Sequence, residues 1–89
     1  MELIPDDEIE RVLEWYEKDP GEALVGEEVL EGVDLGALRR ALRVPEDDPE
    51  MLDAYEVEPP EVEALQPLVR HAIDLAAHDY FVAAYRKAR

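Results

Sequence analysis

The 89-residue chain contains no cysteine, no serine and no threonine. Lacking cysteine, it has no disulfides, thiolate metal sites or cysteine nucleophiles, so its fold rests on packing alone. Lacking serine and threonine, it has no nucleophile for a Ser-His-Asp arrangement. Glycine occurs four times and histidine twice, and no glycine-rich phosphate loop is present. The first eight residues, Met1-Glu2-Leu3-Ile4-Pro5-Asp6-Asp7-Glu8, lack the basic and apolar regions of a secretory signal. No apolar run approaches the roughly 20 residues of a membrane span, and the sequence reads as a soluble, cytoplasmic protein.

What the chain does have is negative charge. Lys and Arg number 9 against 24 Asp and Glu, a formal net charge of −15. From Val44 to Val69 there is no Lys, Arg or His, and nine acids fall there: Glu46, Asp47, Asp48, Glu50, Asp53, Glu56, Glu58, Glu61 and Glu63. A field of this sign repels nucleic acid and anionic lipid and steers a basic partner into encounter. The hydrophobic fraction of 47% is well above that of a disordered acidic tail, so the acids decorate a folded domain. At this length a domain buries roughly 60–65% of its unfolded surface, which makes its stability modest. A competing account of the charge is solubility or salt adaptation in a non-inhibitory interaction or regulatory module. Genome composition is an alternative account of the excess of Arg over Lys, seven to two.

Residues 9–17 are legible as helix or strand. Ile9, Val12, Leu13 and Tyr16 fall at i, i+3, i+4 and i+7 behind Asp6 or Asp7 as a cap, whereas Arg11 to Glu17 is rich in Val, Trp and Tyr. The hairpin reading is preferred. Lys18-Asp19-Pro20-Gly21-Glu22 is turn chemistry, and Ala23 to Leu30, with Gly26 between Val25 and Val29, is a poor helix that needs a strand partner. Asp34 caps a helix carrying Leu35, Leu38 and Leu42 on one stripe, ending near Arg43 because Pro45 disfavours helical geometry at Val44. Arg39, Arg40 and Arg43 complement its C-terminal dipole. Pro45 to Pro49 is a loop, and Ala54 to Val57 a short strand. Pro59 and Pro60 open a second helix with Glu61 and Glu63 at its positive end, and Pro67 stops or kinks it near Gln66. Residues 74–88 are again ambiguous: Asp74 is a possible cap for a helix, and Asp79 to Tyr85 reads as a strand with Phe81, Ala83 and Tyr85 on one face. The expected architecture is one α+β domain over residues 1–89, fraying at 1–8 and 86–89, with helices on one face of a small antiparallel sheet. The order is β-hairpin, helix, short strand, helix, and a final strand or helix.

Candidate chemistry is sparse. His71, Asp74, His78 and Asp79 form the one cluster with metal-ligand character, yet two histidines are too few for a phosphohydrolase-type site, and a capping aspartate with hydrogen-bonded histidines explains them better. Glu46 to Asp53 lacks the alternating acids, the glycine and the terminal Glu of a calcium loop. With twenty-four acids, close carboxylate pairs arise by chance and identify no glycosidase-like site. The sequence thus reads as a non-enzyme with no metal and no cofactor. Most aromatics of so small a domain belong to its core, and Tyr55, beside the acidic loop, is the expected interface anchor.

Certain segments resemble a family of small uncharacterised bacterial proteins: Val44-Pro45-Glu46-Asp47-Asp48-Pro49, Asp53-Ala54-Tyr55-Glu56-Val57, Glu63-Ala64-Leu65-Gln66-Pro67-Leu68-Val69, Ile73-Asp74-Leu75 and Asp79-Tyr80-Phe81. The resemblance runs from about Glu14 to Tyr85. Ala72 stands where that pattern usually has Pro, and Ala76-Ala77-His78 where more polar residues are common, changes that favour helix locally. The resemblance implies no catalytic activity; it implies an association with secreted bacterial toxins, as their cognate immunity proteins. The resulting expectation is an acidic inhibitor that neutralises a basic toxin, a nuclease in the first instance, through Glu46, Asp47, Asp48, Glu50, Asp53 and Glu56 with Tyr55 packed among them. Because Asp47 and Asp48 both lie in a loop, reversing their charge is expected to weaken such a complex and leave the fold intact. A small hydrolase using His71, Asp74 and His78 is a third reading.

Overall fold

The computed structural model describes residues 9–19 and 21–86. Four strands form an antiparallel sheet: β1 (Ile9–Glu17), β2 (Leu24–Val29), β3 (Tyr55–Glu56) and β4 (His78–Arg86). Two helices, α1 (Leu35–Ala41) and α2 (Pro59–Leu65), pack on one side of it, and a 3₁₀ turn (Gln66–Leu68) follows α2 directly. The expected α+β architecture with helices over one sheet face is what forms. The caps read at Asp6 or Asp7, the Pro20 of the turn, and the tail residues Lys87 and Arg89 lie outside the described residues. Arg86, read as frayed, is the last residue of β4.

The strand order is β2-β1-β4-β3. β1 is therefore central, paired with β2 on one side (Val12 with Val29, Leu13 with Glu28) and with β4 on the other, from Ile9 with Arg86 to Glu17 with His78. This double pairing decides both ambiguous segments. A strand with two neighbours satisfies its backbone groups on both edges, and the β-branched and aromatic residues of 9–17 and 78–86 suit a pleated surface.

Alternation along the strands separates two faces. Leu13 and Trp15 of β1, Tyr80 and Val82 of β4, and Val57 just past β3 face the helices, where they meet Leu38, Ala41 and Leu42 of the first helical segment, Leu65 of α2, and Met51. Leu13, Leu38, Met51, Leu65, Tyr80 and Val82 are fully buried, each worth about 1.5–3 kcal/mol relative to exposure. Gly26 lies opposite Trp15 on this face, and a β-carbon there would come within 2.6 Å of the indole. Its smallness is thus a packing requirement.

Local signals set the helices. Asp34 Oδ2 accepts from the Ala37 N–H at 2.9 Å, so α1 starts on the expected cap. It ends two residues before the expected Arg43, which adopts φ 55° as the chain turns toward Pro45. At α2 the Glu58 N–H donates to Glu61 Oε1 at 3.0 Å, so Glu61 is used in capping. Pro67 falls in the 3₁₀ turn, where the α-helix has already stopped.

Candidate functional site

The acidic segment begins as a loop organised by one of its own members. Asp48 accepts hydrogen bonds from the Leu52 N–H (2.9 Å, Oδ1), from the Asp53 N–H (3.1 Å, Oδ2) and from the Tyr55 hydroxyl. These bonds, led by that from Leu52, hold its carboxyl below the ordinary range, and the charge of Arg39 adds to them. The loop backbone needs such support because Met51 takes a left-handed φ of 54° while its side chain enters the core. Asp48 is consequently part of the fold, and the expectation that its charge can be reversed without structural cost is corrected. Tyr55 also differs from the exposed anchor expected: it faces the helices, half-buried, with its hydroxyl on Asp48. Desolvation, followed by the hydrogen bond to Asp48, pushes its phenol up to about 12. Glu46, Asp47, Glu50 and Asp53 are exposed on the loop. Glu56 is exposed too, but it follows Tyr55 on β3 and projects from the opposite sheet face. The expected contact set is therefore divided: four acids on a pinned loop, one acid on the far face, and two residues that hold the loop together.

The His71, Asp74, His78 and Asp79 group is dispersed. His71 stacks on Trp15 (ring centroids 3.7 Å, interplanar 15°) and its Nε2 lies 2.7 Å from the Tyr80 hydroxyl. Asp74 Oδ1 accepts from the Ala76 N–H at 3.1 Å. His78 and Asp79, consecutive on β4, point to opposite faces, and Asp79 pairs with Lys18 at 2.9 Å. No group of three or more His, Cys, Asp and Glu is placed to hold a metal among the described residues.

The sheet face away from the helices carries a site that sequence reasoning missed. It contains Glu14 and Tyr16 from β1, Glu27 from β2, and Phe81, Ala83 and Tyr85 from β4. Glu14 is only 6% exposed, although no helix among the described residues covers it. Tyr16 donates to its Oε1 at 3.1 Å and Tyr85 to its Oε2 at 2.6 Å. Phe81 stands edge-on to Tyr16, with centroids 5.8 Å apart and planes at 84°. The hydrogen bond to Glu14, then desolvation, pushes the Tyr85 phenol up to about 12; Tyr16 is raised first by desolvation and then by its bond to Glu14, and Glu27 contributes to both. Between these residues and Glu17, Glu22, Ala54 and Asp79 runs an open groove of about 460 Å³. The readable signal was alternation, since Glu14 and Tyr16 are two apart on a strand and Phe81, Ala83 and Tyr85 share the same period. A larger hollow of about 690 Å³ lies between the start of β1 and the β2–α1 turn. It reaches Ile9, where the described residues begin, and the Arg11 guanidinium in its wall already donates to the Glu50 carbonyl.

These features define a small α+β domain with one sheet face packed by helices and the other left open around a buried carboxylate. The chain belongs to the family described as a domain of unknown function, DUF7683, which matches residues 10–83 and so takes in both helices and nearly all of the four strands. No curated protein matches the sequence. No helix among the described residues is long and apolar enough to cross a membrane.

Proposed function

We propose that this domain is a non-catalytic binding protein for a basic protein partner, acting as an immunity-type inhibitor that covers the cationic active site of a toxin, a nuclease in the first instance. The observation that carries the reading is the unneutralised charge on a rigid loop. Glu46, Asp47, Glu50 and Asp53 stand exposed while Asp48 fixes the backbone beneath them, and Lys18 with Asp79 is the one ion pair among the described residues. A preorganised acidic surface of this kind mimics the phosphates a nuclease binds and offers nothing to cleave.

The test is co-expression with the product of the adjacent gene, isolation of the complex, and measurement of nuclease activity and association rate against salt. Steering by exposed charge requires the association rate to fall as ionic strength rises, because exposed charges are screened beyond about 8 Å at 0.15 M. Charge reversal at Asp47 and Asp53 should slow association further. An association rate indifferent to salt, or a partner whose activity survives saturation by this domain, refutes the proposal.

A further inference from the structure

The open sheet face holds a negative charge that nothing in the described structure balances. Glu14 is more than nine-tenths buried, and its hydrogen bonds come from the neutral hydroxyls of Tyr16 and Tyr85. Folded proteins rarely bury a carboxylate without a cation, because the desolvation is then uncompensated. Among the described residues, the cations nearby are committed elsewhere. Lys18 pairs with Asp79 at the end of β1, and Arg11 projects to the other face of the sheet, where it donates to the Glu50 carbonyl.

The groove's chemistry is one-sided. Each hydroxyl spends its proton on Glu14, so the phenol oxygens present only lone pairs outward, and Phe81 adds a ring. Of the remaining polar lining, Glu17 and Glu22 also accept, while Asp79 at the end of the groove is taken up by Lys18. A surface of acceptors and aromatic rings around a buried anion is complementary to a guanidinium, which has five donors, no acceptor, weak hydration and a flat face that stacks on rings. The more strongly hydrated ammonium of lysine loses more on entering such a site.

We propose that this groove receives an arginine side chain from a basic segment of the partner protein, with Glu14 as its buried counter-charge and Tyr16, Phe81 and Tyr85 as its walls. The inference rests on the reading of a basic partner and moves the anchoring contact from the Glu46–Asp53 loop to the sheet. The two surfaces then divide the work: loop acids set the rate of encounter, and the groove sets the lifetime of the complex.

The test titrates the isotopically labelled full chain with acetylated, amidated hexa-arginine, with hexalysine in parallel, and follows backbone amide resonances. Hexa-arginine should move the amides of Glu14, Tyr16, Phe81 and Tyr85 and should bind more tightly than hexalysine. Glu14→Gln should weaken hexa-arginine at least about tenfold. Tyr85→Phe, which keeps the ring at an exposed position and leaves the Tyr16 bond to Glu14, should weaken it by about threefold to tenfold and keeps the test decisive if the Gln variant fails to fold. Asp47→Lys, on the loop, should leave the groove shifts in place. Shifts confined to residues 46–53, equal affinity for the two peptides, or undiminished binding by both groove variants overturns the assignment. So does movement of the groove resonances on dilution without peptide, which would show a second copy of the chain seated there. A toxin complex that forms normally with Glu14→Gln refutes the groove and leaves the functional proposal standing; the absence of any inhibited partner refutes that proposal whatever the peptides do.

Discussion

Substituting Gly26 by Ala tests how tightly the sheet is packed against the helical layer. The new β-carbon would lie 2.6 Å from Trp15 Cζ2, 2.7 Å from Cε2 and 2.8 Å from Nε1, whereas ordinary contact begins at 3.4 Å. The ring must therefore retreat by about 0.8 Å or β2 must lift away. Retreat is blocked because His71 is stacked on Trp15 at 3.7 Å and is itself tied to Tyr80 at 2.7 Å. Lifting β2 strains the bonds from the Arg70 and His71 N–H groups to the Glu28 carboxylate. Overpacking of this kind costs about 1–3 kcal/mol. Trp15 is the only tryptophan, so its fluorescence reports unfolding directly. In urea, with a slope near 1 kcal/mol/M for so small a domain, the midpoint should fall by about 1–3 M with the slope unchanged. Trp15→Phe removes the indole atoms that clash, so Gly26→Ala should cost less in that background, with a coupling of about 1 kcal/mol when all four proteins are unfolded in urea and followed by circular dichroism. A loss below about 0.5 kcal/mol, or equal costs in the two backgrounds, would show that the indole does not lie against Gly26.

Tyr80→Phe removes the hydroxyl shared by His71 Nε2 and the Asp74 N–H and should cost about 1–3 kcal/mol by urea titration; a neutral change would mean that water replaces it. Asp48→Ala should lower the melting temperature at pH 7, whereas Asp47→Lys should stay within about 0.5 kcal/mol of the parent. Because the folded-state pKa of Asp48 lies below the ordinary 3.8, its contribution is present above that value and is lost as pH falls through the lowered one. The gap between parent and Asp48→Ala should accordingly close on acidification below pH 4, and a gap unchanged there would contradict the assignment. Tyr85, raised to about 12, contributes stability below pH 10 that is lost as pH climbs through the folded value. Absorbance titration should show this phenol ionising near 12, and nearer 10 in Glu14→Gln.

Elements with local signals were readable in the sequence: the turn between two β-rich segments, the Asp34 cap, and the prolines that open and follow α2. Residues 9–17 and 74–88 each satisfy a helical and an extended pattern; the hairpin preferred for the first is what forms, whereas the second stays open in the sequence because its deciding contact is the distant pairing with β1. The site was harder still. Counting acids gave weight to the densest run, yet within it Asp48 proved to be a backbone ligand, Tyr55 a half-buried residue facing the helices, and Glu61 a cap. Glu14 is one of three acids in β1, with Glu10 and Glu17, and does not stand out in a charge profile. What distinguishes it is its burial, which appears only when β4 brings Tyr85 alongside.

The pairing of β1 with β4 also bears on how the molecule comes to be folded. Its partners are separated by 61 residues at Glu17 and His78 and by 77 at Ile9 and Arg86. Such non-local closure is slow, on the order of milliseconds to seconds for sheet-rich domains, because chain entropy is lost before contacts compensate. A growing chain stalled before residue 78 would hold a two-stranded hairpin, marginal alone, with one edge of β1 bare and its core side chains uncovered. Until the last strand is made, therefore, the nascent chain carries an aggregation-prone edge, and its strong negative charge keeps neighbouring copies apart during that interval.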